Sequence, residues 1–266
     1  MAAAEPYRRR VTDAFYVPVR PGVLRSTEHT VGPWTDTDQH GGPPSGLLVR
    51  ALEGVLPPDG GHLARVSVDL LTSVPVTELT VSAVLVRPGR SVQLAIATLT
   101  VGGREVARAG GWWHRSGDTA AVASPTAAAP PLPPTPITLD ERWPGGYLRA
   151  MEWRQVHGDF IEPGPAVVWS RMGMPLVAGE EPSPAQRVLV TADSGNGAGS
   201  TLSLDRWLFV NTELTVHLVR PPAGEWVCLD AESTIGATGA GIARAAISDL
   251  DGPVGHAAQA LLVRRR

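Results

Sequence analysis

The chain has 266 residues, of which 43% are hydrophobic and 18% charged, and its 23 basic and 26 acidic side chains leave a formal charge of −3. This is the composition of a globular chain with a real core, so disorder is not the default, and the length admits one large domain or two modest ones. Basic residues gather appreciably only at Arg8, Arg9 and Arg10 and at Arg264, Arg265 and Arg266, which makes no face-wide footprint for a nucleic acid, and no apolar run is long enough to span a bilayer.

Past Arg10, residues 11–21 alternate polar and apolar side chains and include prolines, so no signal-peptide core follows. Periodicity changes at Pro43. Leu47, Leu48, Ala51, Leu52 and Val55 fall on one stripe, which predicts an amphipathic helix opened by Pro43-Pro44 and closed before the turn at 57–61. Alternating segments at 64–71, 78–86, 91–100 and 105–113, separated by Pro88-Gly89 and Gly102-Gly103, predict neighbouring antiparallel strands. Residues 117–142 then turn to alanine, proline and threonine, the composition of a stiff, extended connector.

Beyond the connector, residues 147–162, 166–174 and the apolar 187–191 read as strands, and Asp193 opens a helical segment in Ala192-Asp193-Ser194-Gly195-Asn196-Gly197. A second strand series follows at 212–219, 226–233, 241–249 and 254–263. Cys228, the one cysteine, sits inside that series; it reads as a small core residue, and a lone cysteine suits a reducing, cytoplasmic setting.

The two strand series echo each other. Val66-Ser67-Val68-Asp69-Leu70-Leu71 lies over Thr212-Glu213-Leu214-Thr215-Val216-His217, and Pro75 then falls on Pro221. A duplicated unit explains both the length and the proline-rich connector. The expected architecture is α+β: one helix and an antiparallel sheet, twice, with the sheets joined into one surface. The expected division is 1–116, a linker at 117–142, and 143–266.

Trp34, the run His40-Gly41-Gly42-Pro43-Pro44 before a helix, and Arg87-Pro88-Gly89-Arg90-Ser91 are similar to the first half of thioesterase-like double-hotdog proteins. The blocks around Asp193, residues 209–218 and 259–263 resemble the second half, so the likeness covers nearly the whole chain outside the connector. It implies a double-hotdog acyl-CoA thioesterase that forms homo-oligomers. In bacterial acyl-CoA thioesterase II, which the chain resembles more distantly, an aspartate, a threonine and a glutamine of the second half position the hydrolytic water. Their places fall on Asp193, Asn211 and Gln259, so an asparagine stands where that family has a threonine.

Hydrolysing a thioester needs an oriented water, an acceptor for its proton and donors for the developing oxyanion. Asp193 is the expected acceptor, with Gln259 holding the water and Asn211 fixing either. His40 and the backbone around Gly41 and Gly42 are the expected oxyanion and substrate contacts, because glycine lets a thioester approach the main chain closely. Each has a plainer reading: Asp193 as a helix cap, Asn211 as a turn residue, His40 as a loop cap. Gln259 interrupts the apolar run Ala257-Ala258-Gln259-Ala260-Leu261-Leu262, where a buried amide needs a partner or a cavity.

Rival motifs are weak. Gly195-Asn196-Gly197-Ala198-Gly199 departs from the dinucleotide-binding spacing, and the chain has no Gly-x-Ser-x-Gly elbow. The seven histidines and single cysteine form no metal-ligand spacing, so no metal or cofactor is expected, and Trp112, Trp113 and Trp226 read as packing in strands. Two other functions stay open: non-hydrolytic binding of an acyl chain or polyketide-like intermediate, and a hotdog hydratase or dehydratase. The latter needs an aspartate and a histidine together at the start of a helix, where His40 has only Asp36 and Asp38 nearby in sequence. The expected partner is an acyl-CoA or acyl-carrier thioester, with neither nucleic acid nor membrane.

Overall fold

The first half forms strands β1 (Tyr16–Arg20) and β2 (Val23–Ser26), helix α1 (Gly42–Glu53), and then β3 (Gly61–Leu70), β4 (Glu78–Arg87), β5 (Val92–Val101) and β6 (Arg104–Arg115), the last four from its alternating segments. The second half forms α2 (Gly146–Ala150), β7 (Met151–His157), β8 (Ala166–Met172), α3 (Pro184–Ala192), α4 (Gly195–Ala198), β9 (Trp207–Asn211), β10 (Glu213–Leu218), β11 (Trp226–Ile235), β12 (Ala240–Asp249) and β13 (Gly252–Arg265). This computed structural model describes residues 13–139, 146–158 and 162–266. The Arg8 to Arg10 cluster, part of the 147–162 segment and the boundary at 142/143 lie outside the described residues.

The thirteen strands among the described residues join one sheet in the order β1-β2-β4-β5-β6-β3-β10-β13-β12-β11-β8-β7, with β9 pairing β13. The second half of that order mirrors the first. At the seam, β3 pairs antiparallel with β10, and Val68 stands directly opposite Leu214. Those two residues are also superposed by the internal repeat, so a pseudo-twofold axis passes between them. The architecture is a double hotdog.

Along β3 and β10 the residues facing the helices, Val66, Val68, Leu214 and Val216, are buried, and they share one core with Leu47, Leu48 and Leu52 of α1 and Val188 and Leu189 of α3. The two helices lie antiparallel on the sheet. Near the end of α1, Arg50 pairs with Glu180 at 2.6 Å, and Glu53 accepts from Ser183 and Gln186 at the start of α3. At the other end, the first turn of α1 meets the last turn of α3: an added Cβ on Gly46 would come within 2.6 Å of Val190 Cγ2, and one on Gly42 within 2.4 Å of the Val190 carbonyl.

Two local expectations are corrected. Residues 187–191 are helical, because Ser183 caps the helix by accepting from the Gln186 amide and Pro184 opens it, while core burial outweighs the strand preference of Val188, Val190 and Thr191. Residues 146–150 make a helical turn before β7, since the Tyr147 ring is fully buried beside His40 and its amide donates to Val31 O. Strands β1, β2 and β9 had no sequence expectation. The connector is exposed from 117 to 128; further on, Ala129 and Leu132 cover Trp169, Trp226 and Cys228, and Ile137 donates its amide to Trp153 O.

Candidate active site

The antiparallel helix pair decides what lies at the centre. α3 ends at Asp193, its C-cap, and there the chain meets Gly41, the N-cap of α1. An added Cβ on Gly41 would fall 2.7 Å from Asp193 Oδ2, so only glycine leaves room for the carboxylate against the α1 backbone. Asp193 was expected at the start of its own helical segment; it lies instead at the carbonyl end of α3, and the helix start that it faces belongs to the other half. That start carries the partial positive charge of the α1 amides, which favours an anion.

Asp193 is 2% exposed and held from three sides. Asn211, the last residue of β9, donates Nδ2 to Asp193 Oδ1 at 2.8 Å. Gln259 of β13 donates Nε2 to the Asp193 carbonyl at 3.1 Å and lies 3.4 Å from Oδ1. His40 Nδ1 is 3.0 Å from Asp193 Oδ2. The three second-half residues singled out from sequence thus converge, and His40 joins them from the first half.

His40 is fixed as well. Its ring stacks on Tyr147 with centroids 3.8 Å apart and planes 9° from parallel. The Tyr147 hydroxyl donates to Val190 O at 2.8 Å and lies 2.9 Å from Ser194 Oγ. Burial lowers the His40 pKa, and the Asp193 carboxylate pulls the other way. Burial drives the Tyr147 phenol far above its ordinary range.

His40 Nδ1 is also 3.1 Å from the Gly42 amide. One nitrogen cannot both accept that N–H and donate to Asp193. A proton on Nδ1 ties the imidazole to the carboxylate; a bare Nδ1 takes the Gly42 amide instead. The Gly42 amide, expected to face a substrate carbonyl, is therefore directed at His40.

A cavity of about 320 Å³ opens beside these groups, lined by both halves. His40, Gly41, Asp193 and Asn211 lie on its wall, while Trp34, Leu70, Val74, Leu148 and Phe209 give it an apolar flank. Trp34 meets Phe209 edge-to-face at 5.2 Å. Gln259, 2% exposed, sits behind the carboxylate and not on the wall. Sequence reasoning missed Tyr147, which directly follows the connector in a segment with no motif, and Asn196, which also lines the cavity. Asn196 lay in plain view within Gly195-Asn196-Gly197, a signal read only against phosphate loops.

Comparison with known proteins bears on the family and the fold. Residues 30–114 match the family described as acyl-CoA thioesterase N-terminal domain, and residues 125–263 match acyl-CoA thioesterase C-terminal domain. The fold is that of solved double-hotdog proteins: an acyl-CoA thioesterase II, TesB2, from Mycobacterium marinum superposes with a TM-score of 0.68 at 16% identity, over 96% of this chain and 97% of the other. A tesB protein of Mycobacterium avium subspecies paratuberculosis gives 0.67 at 16% identity, over 94% and 95%. A hot dog fold protein of unknown function from Alicyclobacillus acidocaldarius gives 0.73 at 15% identity, over 96% and 97%. Comparison with curated proteins found no match. The chain belongs to the acyl-CoA thioesterase family, which both halves match in the family's own order.

Proposed function

We propose that the protein hydrolyses an acyl-CoA thioester at Asp193, with the acyl group in the cavity between the halves. The observation that carries this reading is a buried carboxylate on the cavity wall, held by Asn211 and Gln259 and set against the start of α1. Water bound beside Asp193 gives up its proton to the carboxylate as it attacks the thioester carbon, and the coenzyme leaves as a thiol. Asn211 and Gln259 orient the carboxylate. His40 and the α1 start, with Gly41 on the cavity wall, stand where negative charge develops on the carbonyl oxygen. Since asparagine keeps a hydrogen bond to Asp193, the missing threonine hydroxyl does not remove the carboxylate's support.

The test is a panel of acyl-CoAs from short to long chains, followed by release of free thiol. Cleavage of at least one, slowed by ~10²-fold or more in Gln259→Ala, supports the reading. No cleavage across the panel, or an unaffected variant, sinks it. The same reading keeps the division 1–116, 117–142 and 143–266, a cytoplasmic setting and self-association of the chain; light scattering of the purified protein checks the last. No helix among the described residues is long and apolar enough to cross a membrane.

One observation favours a second reading. A hydratase or dehydratase needs an aspartate and a histidine together at a helix start, and His40 meets Asp193 there, while the sequence neighbour Asp38 accepts from Thr35 instead. Water addition to a 2-enoyl-CoA, seen as loss of the conjugated thioester absorbance without thiol release, distinguishes this reading from hydrolysis.

A further inference from the structure

The start of α1 is poor in donors. Pro43 and Pro44 carry no N–H, the Ser45 amide donates to Gly41 O, and the Gly42 amide is directed at His40 Nδ1. The Gly41 amide alone is left without an acceptor among the described residues, so this helix end offers one N–H to an oxygen in the cavity. An oxyanion formed beside the apolar flank of Trp34, Leu70, Val74 and Phe209 is held best by two.

A second donor stands one turn past Asp193. Asp193 and Ser194 have right-handed helical angles, and the Gly197 and Ala198 amides both donate to Ser194 O, so the chain stays helical from α3 into α4. Asp193 and Asn196, three positions apart, therefore share one face, with Cβ atoms about 5–6 Å apart, and both line the cavity. Of the other two carboxamides on the wall, Gln39 bonds Tyr16 and the Pro75 carbonyl, and Asn211 bonds Asp193. The Asn196 side chain has no hydrogen-bond partner among the described residues. It is 8% exposed, and unlike the sealed, unpaired indole nitrogens of Trp113 and Trp169 it opens on the cavity. An alkyl chain against it would strip its water and return no hydrogen bond, which is unfavourable. A thioester carbonyl within reach of a water on Asp193 supplies the acceptor that the amide lacks.

We propose that Asn196 is a catalytic residue, an oxyanion donor whose side-chain N–H and the Gly41 backbone N–H together hold the thioester oxygen. As the water oxygen bonds to the thioester carbon and its proton passes to Asp193, the carbonyl π pair moves onto that oxygen, between the two donors. When the pair returns, the carbon–sulfur bond breaks and Asp193 gives the proton to the departing sulfur, leaving a carboxylic acid and a thiol. This rests on the hydrolase reading and adds to it a group that the carboxylate's own partners do not supply.

The experiment compares wild type with Asn196→Leu, which keeps the shape without the amide, and with Asn196→Ala, which leaves space and guards against misfolding by the bulkier side chain. Thiol release gives kcat and KM on the best acyl-CoA. Calorimetry gives the affinity for two uncleavable analogues of it: a thioether with CH2 in place of the carbonyl, and a difluoroketone with CF2 in place of sulfur, whose hydrate carries the tetrahedral carbon and its oxygens. The expected result is a kcat lowered by roughly 10²–10³-fold with KM within about threefold of wild type. Affinity for the difluoroketone should fall at least about tenfold while that for the thioether holds within about threefold. A folded variant that keeps the wild-type kcat, or equal weakening of both analogues, overturns the proposal and leaves the hydrolase reading standing. Should the wild type cleave no thioester, that reading fails and the analogues still decide: a preference for the difluoroketone that is lost in the variants supports the donor, and one that is absent or retained overturns it.

Discussion

Replacing Asp193 by asparagine is the sharpest perturbation, because it removes a charge and almost nothing else. The amide keeps the carboxylate's shape, its oxygen still accepts from Asn211 Nδ2 across 2.8 Å, and its new NH2 group lies 3.0 Å from His40 Nδ1, which accepts when bare. The main-chain carbonyl that Gln259 holds at 3.1 Å is untouched. With every partner retained, folding stability should change by no more than about 1 kcal/mol. Turnover should fall by roughly 10²–10⁴-fold, the usual worth of a general base, which corresponds to about 3–5 kcal/mol of transition-state stabilisation. The assay is thiol release from the best acyl-CoA at saturation, alongside urea unfolding of both proteins. Background from the protein is small, since burial pushes the pKa of the Cys228 thiol up to about 12 and keeps it unreactive. A folded Asp193→Asn variant with more than a tenth of the wild-type kcat would refute the assignment of Asp193 as the base.

Gly41→Ala places a methyl carbon 2.7 Å from Asp193 Oδ2, so the carboxylate must move, and kcat should drop at least ~tenfold while the fold persists; full activity would show that the close approach does not matter. Tyr147→Phe removes the buried hydroxyl that serves Val190 O and Ser194, costing about 1–2 kcal/mol and lowering Tm by roughly 2–6 °C, with an unchanged melting curve as the contrary result. His40 takes up its proton at a lower pH when folded than when unfolded, because burial depresses its pKa, and His62 is depressed by burial likewise. The unfolded chain therefore binds more protons below about pH 6.5, so stability is complete above that value and is lost as pH falls toward the folded pKa. Urea midpoints at pH 8 and pH 5.5 should differ less in His40→Gln than in the wild type, and an equal difference would remove His40 from the account.

The sequence by itself determined the duplication and most of the strands, since alternation and turn glycines are local signals, and the β3 and β10 overlay already matched Val68 to Leu214, which stand face to face at the seam. It also marked Gln259, because an amide in an apolar strand needs a partner, and that partner is Asp193. Residues 187–191 were misleading: β-branched side chains favour a strand, and the Ser183 cap, Pro184 and packing of Val188, Leu189 and Val190 into the shared core together make them helical. The meeting of His40 with Asp193 could not be read at all. They are 153 positions apart in numbering, and nothing local encodes that α1 and α3 run antiparallel. That direction, set by the twofold relation of two copies on one sheet, brings the amide end of one helix to the carbonyl end of the other and puts a carboxylate between them.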